Sequence, residues 1–302
     1  MKAAVLDLGT NTFNLLIAEQ QGTERPQVLF RERRFVKIGQ GGISQGVIAA
    51  DAYERALAAM IAYSKIIQAY AVNEVVATAT SAIRSAQNGA QLLADIQRQA
   101  GILPQTISGV REAEIIFEGV KADIGLGTNT SLVMDIGGGS VEFVMGNERE
   151  IFWRQSFEIG AQRLYDRFHR SEPIAQSSIE ELEHYLEQEL SDLLVAIKKY
   201  EPQLLIGSSG TFDTIWDVLA KPNGERQLSY EEFLPIHQLF IGKKLEERRQ
   251  IKGMLVMRAE MIVVASCLLD FVFRQLPHKL LKISNAALKE GVLALIFAGK
   301  SI

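Results

Sequence analysis

The sequence predicts an α/β protein made of two similar domains, chiefly because one motif occurs twice. Residues 7–14 read DLGTNTFN, and residues 135–142 read DIGGGSVE. Each copy lies between two short apolar runs, a pattern typical of two strands joined by a tight turn. Strand-like and helix-like segments then alternate after each copy, and 302 residues suffice for two domains of ordinary size.

The elements expected after each copy follow from apolar periodicity and from start and stop signals. The first half is predicted to contain strands at 3–6, 15–18, 28–38, 74–79 and 106–108, and helices at 51–70, 91–100 and 111–123. The second half is predicted to contain strands at 131–135, 141–145, 151–155 and 203–206, and helices at 179–200, from about 212, and at 285–298. Residues 177–181 have the spacing of a capping box at the start of the helix at 179–200.

The polar segment at 125–130 (GLGTNT) is the predicted domain boundary. The domains are therefore expected at 1–124 and 125–302, with the closing helix at 285–302 a candidate to return and pack on the first domain.

Two clusters of basic residues are expected on the surface. Arg31, Arg33, Arg34 and Lys37 are predicted to decorate a solvated strand edge, and residues 243–252 an exposed helix face.

Composition excludes several classes of protein. With 47% hydrophobic and 23% charged residues the chain is typical of a soluble globular protein, and its net charge of −4 argues against a general nucleic-acid binder. A single cysteine, Cys267, excludes an intrachain disulfide and is expected to be a buried spectator. The chain enters its first strand without a signal-peptide pattern, its most apolar stretch (261–273) is too short to span a bilayer, and its histidines lack zinc-ligand spacing. We expect a cytoplasmic protein with no nucleic-acid or membrane partner.

The duplicated motif has the chemistry of a phosphate site. Glycines let backbone N–H groups approach an anion closely, hydroxyls donate to it, and an aspartate can hold a cation. The residues predicted to bind phosphate are Thr10, Asn11, Thr12, Gly137, Gly138, Gly139 and Ser140, and the predicted metal ligands are Asp7 and Asp135. Two such hairpins facing each other would grip a phosphate and its metal from both sides.

A third glycine-rich turn, at 207–211 (GSSGT), follows a strand and precedes a helix. Such a turn can bind an anion at the helix N-terminus, which makes Ser209 and Gly210 further substrate-binding candidates. Arg84 follows a buried strand and a Thr/Ser turn, so its guanidinium is placed to bind phosphate oxygens bidentately, although a surface salt bridge would be the default interpretation of an arbitrary arginine.

Glu112 is the candidate catalytic base. It lies in the first turn of a predicted helix, directly after a strand and a glycine turn. A carboxylate there can activate water for in-line attack on a terminal phosphorus. On spacing alone, Glu112 could instead serve only to favour the helix dipole.

Five segments together resemble the exopolyphosphatase/guanosine pentaphosphatase family in its short two-domain form. They lie at 7–12, 80–84 (TSAIR), 107–113 (ISGVREA), 135–142 and 207–211, in the family's order. The resemblance implies two ribonuclease-H-like domains of the actin-like ATPase superfamily, with the active site in the cleft between them. It also implies a requirement for Mg²⁺, release of terminal phosphate from a phosphoanhydride chain, and Glu112 as the catalytic base.

The resulting hypothesis is an exopolyphosphatase acting on inorganic polyphosphate. In it, Asp7 and Asp135 position Mg²⁺, Glu112 deprotonates water, and Glu142 completes the metal shell or orients that water. The main alternative is a hydrolase of the 5′-γ-phosphate of guanosine pentaphosphate, which would use the same centre. A sugar or acid kinase of the same superfamily and a non-catalytic sensor of alarmone nucleotides are further alternatives, and a homodimer is left open.

Overall fold

The computed structural model describes residues 1–22, 25–221 and 225–302 of the chain. The chain divides into two compact units: unit 1 combines Met1–Ala122 with Leu288–Ile302, and unit 2 is Asp123–Ala287. Residues Leu288–Ile302, at the end of the chain, thus group with unit 1. In unit 1, Gly291 packs so closely on Ile115 that an added Cβ would lie 2.0 Å from the Ile115 carbonyl oxygen.

Strands and helices alternate along the described chain in two similar series. The first series is β1 (Lys2–Leu8), β2 (Phe13–Glu19), β3 (Gln27–Arg34), α1 (Ala50–Tyr70), β4 (Glu74–Ala79), α2 (Ser81–Ser85), α3 (Gly89–Ala100), β5 (Gln105–Thr106) and α4 (Gly109–Ile124). The second begins with β6 (Ser131–Ile136), β7 (Val141–Gly146), β8 (Ile151–Phe157), α5 (Ala161–Phe168), α6 (Gln176–Glu189), α7 (Ser191–Tyr200), β9 (Leu204–Ser208) and α8 (Gly210–Leu219). It ends with β10 (Gln227–Ser229), α9 (Tyr230–Gly242), α10 (Leu245–Arg249), α11 (Ile262–Gln275), β11 (Leu280–Ile283) and α12 (Leu288–Phe297).

The two sheets share one topology. Among the described residues, unit 1 has a five-stranded sheet in the order β3-β2-β1-β4-β5, and unit 2 has a six-stranded sheet in the order β10-β11-β9-β6-β7-β8. In unit 1, β1 pairs antiparallel with β2 and parallel with β4. In unit 2, β6 pairs antiparallel with β7 and parallel with β9. The prediction of two ribonuclease-H-like α/β domains is confirmed.

Burial explains which segments form the centre of each sheet. Every residue of β6 and β7 is buried, and β1 is nearly so, as expected for strands covered on both faces. In contrast, every residue of β3, an edge strand, is exposed or half-buried. Helix α1 covers the sheet of unit 1 with a buried stripe at helical spacing, which includes Ala52, Ala56, Met60, Tyr63 and Ile67.

Two local predictions about helices are wrong. The helix expected at 179–200 is two helices, α6 and α7, because Leu190 leaves helical geometry at φ −96° and ψ 17°. The capping box expected at 177–181 does not form, since α6 begins at Gln176 and its N-cap residue, Ala175, has no side-chain acceptor. A complete capping box forms instead at the start of α9, where the Ser229 hydroxyl accepts from the Glu232 amide.

The basic cluster at 243–252 is not simply an exposed helix face. Its short helix α10 carries Arg248, whose side chain is fully buried. The guanidinium donates to both carboxylate oxygens of Glu172, at 2.9 Å each, and through Nε to the Ala259 carbonyl at 2.7 Å. Burial opposes ionisation of Glu172, but the bonds from Arg248 and then His169 hold the pKa of its carboxyl below its usual value. Arg248 therefore fixes the segment that ends in Arg258 and Ala259.

Each unit has its own apolar core, and Cys267 lies in the core of unit 2. Burial, followed by the nearby Asp270 carboxylate, raises the pKa of the Cys267 thiol to about 12, as expected for an unreactive cysteine. Of the helices in the described ranges, none is long and apolar enough to cross a membrane.

Candidate active site

The two copies of the duplicated motif form the same tight turn. Loop 1 (residues 9–12) joins β1 to β2, and loop 2 (residues 137–140) joins β6 to β7. The first glycine of each loop donates to the carbonyl three residues later, Gly9 to Thr12 and Gly137 to Ser140, at 3.0 Å in both. A Cβ on either glycine would lie only 3.0 or 2.9 Å from that carbonyl oxygen, so both turns need glycine.

A row of polar side chains crosses each sheet directly beside its loop. Polar row 1 is formed by Thr78, Asp7, Asn14 and Arg33, which pair across β4, β1, β2 and β3. Polar row 2 is formed by Ser208, Asp135, Glu142 and Ser156, which pair across β9, β6, β7 and β8. The two rows occupy the same strands of the duplicated topology, so the predicted metal ligands Asp7 and Asp135 are structurally equivalent.

Neighbours within the rows orient the carboxylates. In polar row 1, Asn14 Nδ2 donates to Asp7 Oδ2 at 3.0 Å, and Arg33 Nε donates to Asn14 Oδ1 at 3.3 Å. Arg33 thus binds a neighbour in polar row 1 and is not merely a solvated residue of the strand edge. In polar row 2, the Ser208 hydroxyl donates to Asp135 Oδ2 at 2.7 Å, and the Ser156 hydroxyl donates to Glu142 Oε1 at 2.8 Å.

The carboxylates of polar row 2 fit a magnesium site. Asp135 and Glu142 are directly paired on β6 and β7, and they are only 6% and 2% exposed. Two carboxylates so placed repel each other when both are ionised, and a divalent cation would offset that repulsion. In the parts of the chain that the structure describes, no three His, Cys, Asp or Glu side chains form a ligand cage. A cation held here would therefore keep water or substrate oxygens as ligands, as Mg²⁺ usually does.

Glu112 lies in the first turn of α4 and is 6% exposed. Arg84 Nη1 donates to Glu112 Oε2 at 3.0 Å and to the Ile107 carbonyl at 3.1 Å. The structure thus brings two of the predicted site residues together and gives Arg84 a contact that the sequence did not predict. This ion pair fixes the orientation of the Glu112 carboxylate from one side.

Loop 1 and the Arg84–Glu112 pair lie at the same edge of the sheet of unit 1. The amide of Thr80, which precedes α2, donates to the carbonyl of Leu8 at the end of β1, at 3.3 Å. The amide of Ile107, which precedes α4, donates to the carbonyl of Ala79 at the end of β4, at 3.2 Å. The carboxyl ends of parallel strands are where α/β proteins usually bind ligands. Glu112, Arg84 and loop 1 therefore lie at the edge of unit 1 where a ligand would be expected to bind.

The turn at 207–211 places Ser209 and Gly210 at the start of α8. Ser208, the last residue of β9, belongs to polar row 2, and the Ser209 hydroxyl donates to the Ile136 carbonyl at 3.3 Å. This turn therefore lies beside loop 2. The Arg258 guanidinium covers Gly210 so closely that a Cβ there would lie 1.9 Å from Nη2, and Nη1 donates to the Thr214 hydroxyl at 3.0 Å.

Ser209 adopts a backbone conformation that is normally restricted to glycine, with φ 71° and ψ −169°. Because this strain depends on Cβ, we expect Ser209→Gly to be more stable than Ser209→Ala by on the order of 1 kcal/mol. Both changes remove the hydroxyl, so the difference isolates the backbone term. Urea denaturation measures the difference in free energy of unfolding between the two variants. Equal stability, or a more stable alanine variant, would show that the backbone at Ser209 is not strained.

The residues that support the loops from behind are not among those predicted from the sequence. In unit 1, the amides of Lys37 and Gly39 donate to the carbonyls of Asn11 and Thr10 at 2.9 and 3.1 Å. In unit 2, the amide of Gly160 donates to the Gly139 carbonyl at 3.1 Å. A sequence signal exists, since an Ile-Gly pair follows the third strand of each unit, at residues 38–39 and 159–160.

Comparisons with known proteins identify relatives of this chain. A sequence model of the Ppx/GppA phosphatase family matches residues 16–297. Exopolyphosphatase 1 of Mycobacterium leprae is 26% identical over 300 residues, which cover 97% of this chain and 88% of that protein.

Solved structures show the same relationship. The crystal structure of an exopolyphosphatase from Cytophaga hutchinsonii superposes with a TM-score of 0.96 at 39% identity, over 100% of this chain and 99% of that one. The Aquifex aeolicus PPX-GPPA enzyme superposes with a TM-score of 0.81 at 25% identity, over 97% and 98% of the two chains. The chain therefore belongs to the Ppx/GppA phosphatase family and is a hydrolase of phosphoanhydride bonds, as its five motifs implied.

Proposed function

We propose that the protein is an exopolyphosphatase, which releases terminal orthophosphate from inorganic polyphosphate by Mg²⁺-assisted attack of a water molecule activated by Glu112. The observation that carries the proposal is the edge of unit 1, where a buried carboxylate, Glu112, accompanies loop 1. The relatives from Mycobacterium leprae and Cytophaga hutchinsonii, both named exopolyphosphatases, support polyphosphate as the substrate.

The loops supply the phosphate-binding groups in this proposal. In unit 1, the proposed ligands of the terminal phosphoryl group are the backbone N–H groups of loop 1, the hydroxyls of Thr10 and Thr12 and the amide of Asn11. In unit 2, they are the backbone N–H groups of loop 2 and the hydroxyl of Ser140. Asp7 in unit 1 and Asp135 in unit 2 are the proposed ligands of Mg²⁺, directly or through its water ligands, and Glu142 would complete the metal shell or orient the attacking water. When bound, the ion neutralises negative charge on the phosphate oxygens.

Glu112 accepts the proton of the attacking water through its carboxylate. Arg84 holds that carboxylate through Oε2, at 3.0 Å, so its orientation is set before substrate binds. The leaving group is a phosphate oxygen that is already stable as an anion, so no dedicated general acid is required. Catalysis then consists mainly of positioning and charge neutralisation.

Guanosine pentaphosphate is the alternative substrate, because removal of its 5′-γ-phosphate would use the same loops and the same carboxylate. A non-catalytic sensor of alarmone nucleotides is less well supported, since a sensor has no use for a buried, oriented Glu112. A sugar or acid kinase would need an acceptor-binding segment with a catalytic aspartate, and the sequence offers no convincing one.

A direct comparison of substrates tests the proposal. We expect Mg²⁺-dependent orthophosphate release from long and short polyphosphate, and loss of that release when a chelator is added. Guanosine pentaphosphate is assayed in the same buffer. Orthophosphate release from guanosine pentaphosphate alone would favour guanosine pentaphosphate as the substrate over polyphosphate. No release from long polyphosphate, short polyphosphate or guanosine pentaphosphate would refute both proposed activities.

A further inference from the structure

The carbonyl groups of loop 2 are held from behind by the start of α5. The amides of Gly160, Ala161 and Gln162 donate to the carbonyls of Gly139, Gly137 and Gly138, at 3.1, 2.9 and 2.9 Å. In a trans peptide unit, the C=O of one residue and the N–H of the next point in opposite directions. Holding these three carbonyls against α5 therefore turns the N–H groups of residues 138–140 to the opposite side, where an anion could accept from them.

The close approach depends on a glycine at position 160. A Cβ there would lie 2.4 Å from the carbonyl carbon of Gly138 and 2.5 Å from that of Gly139. In unit 1, Gly39 has the equivalent place behind loop 1, and its Cβ would lie 2.5 Å from Thr10 Cγ2. Both loops therefore rest on a glycine that follows the third strand of their sheet.

Unit 2 adds a charged side chain to this support. Arg163, in the first turn of α5, donates from Nε to the Gly139 carbonyl at 2.9 Å, and from Nη2 to Glu158 Oε2 at 3.0 Å. The Gly139 carbonyl thus accepts from both Gly160 and Arg163. Hydrogen bonds from a guanidinium are stronger than those from a neutral donor, and a fork with two partners holds a fixed geometry.

We propose that Arg163 is a positioning residue for loop 2, which it fixes through the Gly139 carbonyl so that the amides of residues 138–140 face the substrate phosphate before it binds. In this role Arg163 acts through loop 2 and not through contact with the substrate. This inference rests on the proposed function, in which loop 2 binds the terminal phosphoryl group. Because misplacement of a preorganised group by about 1 Å can cost about a hundredfold in rate, a measurable kinetic effect is expected.

The test compares Arg163→Ala and Arg163→Lys with Arg167→Ala. Arg167 lies on the same helix but stacks on the Tyr185 ring, 4.1 Å from its centroid, and so serves as a matched control. We expect Arg163→Ala to lower kcat for polyphosphate by about tenfold to a hundredfold with KM changed less than about threefold. Added guanidinium should restore part of the kcat of Arg163→Ala, and Arg163→Lys, which keeps the charge but not the fork, should fall between Arg163→Ala and the unmodified protein.

A second readout is independent of activity. With ¹⁵N-glycine labelling, the amide signals of Gly138 and Gly139 in the free protein should broaden or shift in Arg163→Ala and stay unchanged in Arg167→Ala. Unchanged loop 2 signals, or a kcat equal to that of Arg167→Ala, would overturn the role of Arg163. If the unmodified protein releases no phosphate while the signals still respond, the proposed function fails and the positioning role stands. If Arg163→Ala does not fold, Arg163→Lys provides the same comparison.

Discussion

Glu112→Gln is expected to lower turnover by about a hundredfold or more, while polyphosphate binding stays within several-fold of that of the unmodified protein. The amide keeps the shape of the side chain, and its oxygen can still accept from Arg84, which lies 3.0 Å from Glu112 Oε2. What the variant loses is the group that takes a proton from water. Single-turnover phosphate release and calorimetric binding of polyphosphate measure the two effects separately.

Glu114→Gln is the matched control for this prediction. Glu114 lies in the same helix and pairs with Arg111 at 2.8 Å, on the half-exposed part of α4. We expect it to retain turnover within about twofold, since a partly exposed ion pair contributes little to stability. If Glu114→Gln abolished turnover and Glu112→Gln did not, the wrong carboxylate would have been assigned as the base.

Asp135→Asn is expected to weaken Mg²⁺ binding by about tenfold or more and to lower activity in parallel. The amide can keep the hydrogen bond from the Ser208 hydroxyl, which lies 2.7 Å from Asp135 Oδ2. Its negative charge is lost, however, and with it the favourable interaction with a divalent cation. Calorimetric Mg²⁺ titration in the presence of tripolyphosphate, together with the Mg²⁺ dependence of phosphate release, measures both effects.

Asp192→Asn provides the control for Asp135, because Asp192 is an exposed carboxylate in the same unit. It should leave both the Mg²⁺ affinity and the rate unchanged. Full activity of the unmodified protein in excess chelator would instead show that hydrolysis does not require Mg²⁺, whatever the effects of the variants.

The duplicated turns could be predicted because their chemistry is local. An aspartate, a glycine two residues later and a hydroxyl near the end of the turn, between apolar runs, specify two strands and a tight turn without long-range information. The same holds for β4, predicted at 74–79 and found at Glu74–Ala79, and for α1, whose apolar spacing is regular. In both units these local signals also place Asp7 and Asp135 at the ends of central strands.

The contacts that complete the site could not be predicted, because they join residues far apart in the chain. Arg84 and Glu112 are 28 positions apart, and Arg248 and Glu172 are 76 apart. The polar rows depend on strand register, which a single sequence does not specify. Alternating charges around Arg248 are typical of a solvated helix, but its fully buried side chain is bonded to Glu172 and to the Ala259 carbonyl. The helix break at Leu190 could not be predicted either, since neither Gly nor Pro marks it in the sequence.

The most direct test of the central claim, that water activated by Glu112 attacks the terminal phosphorus, is the fate of solvent oxygen during polyphosphate hydrolysis in H₂¹⁸O. We predict one ¹⁸O atom in each orthophosphate released by the unmodified protein and none in the new end of the shortened chain. Glu112→Gln should show the same labelling pattern at its much lower rate. Release of unlabelled orthophosphate with ¹⁸O in the shortened chain end would show that water attacks the penultimate phosphorus. That result, or transfer of the phosphoryl group to an acceptor without release of orthophosphate, would contradict the proposed mechanism.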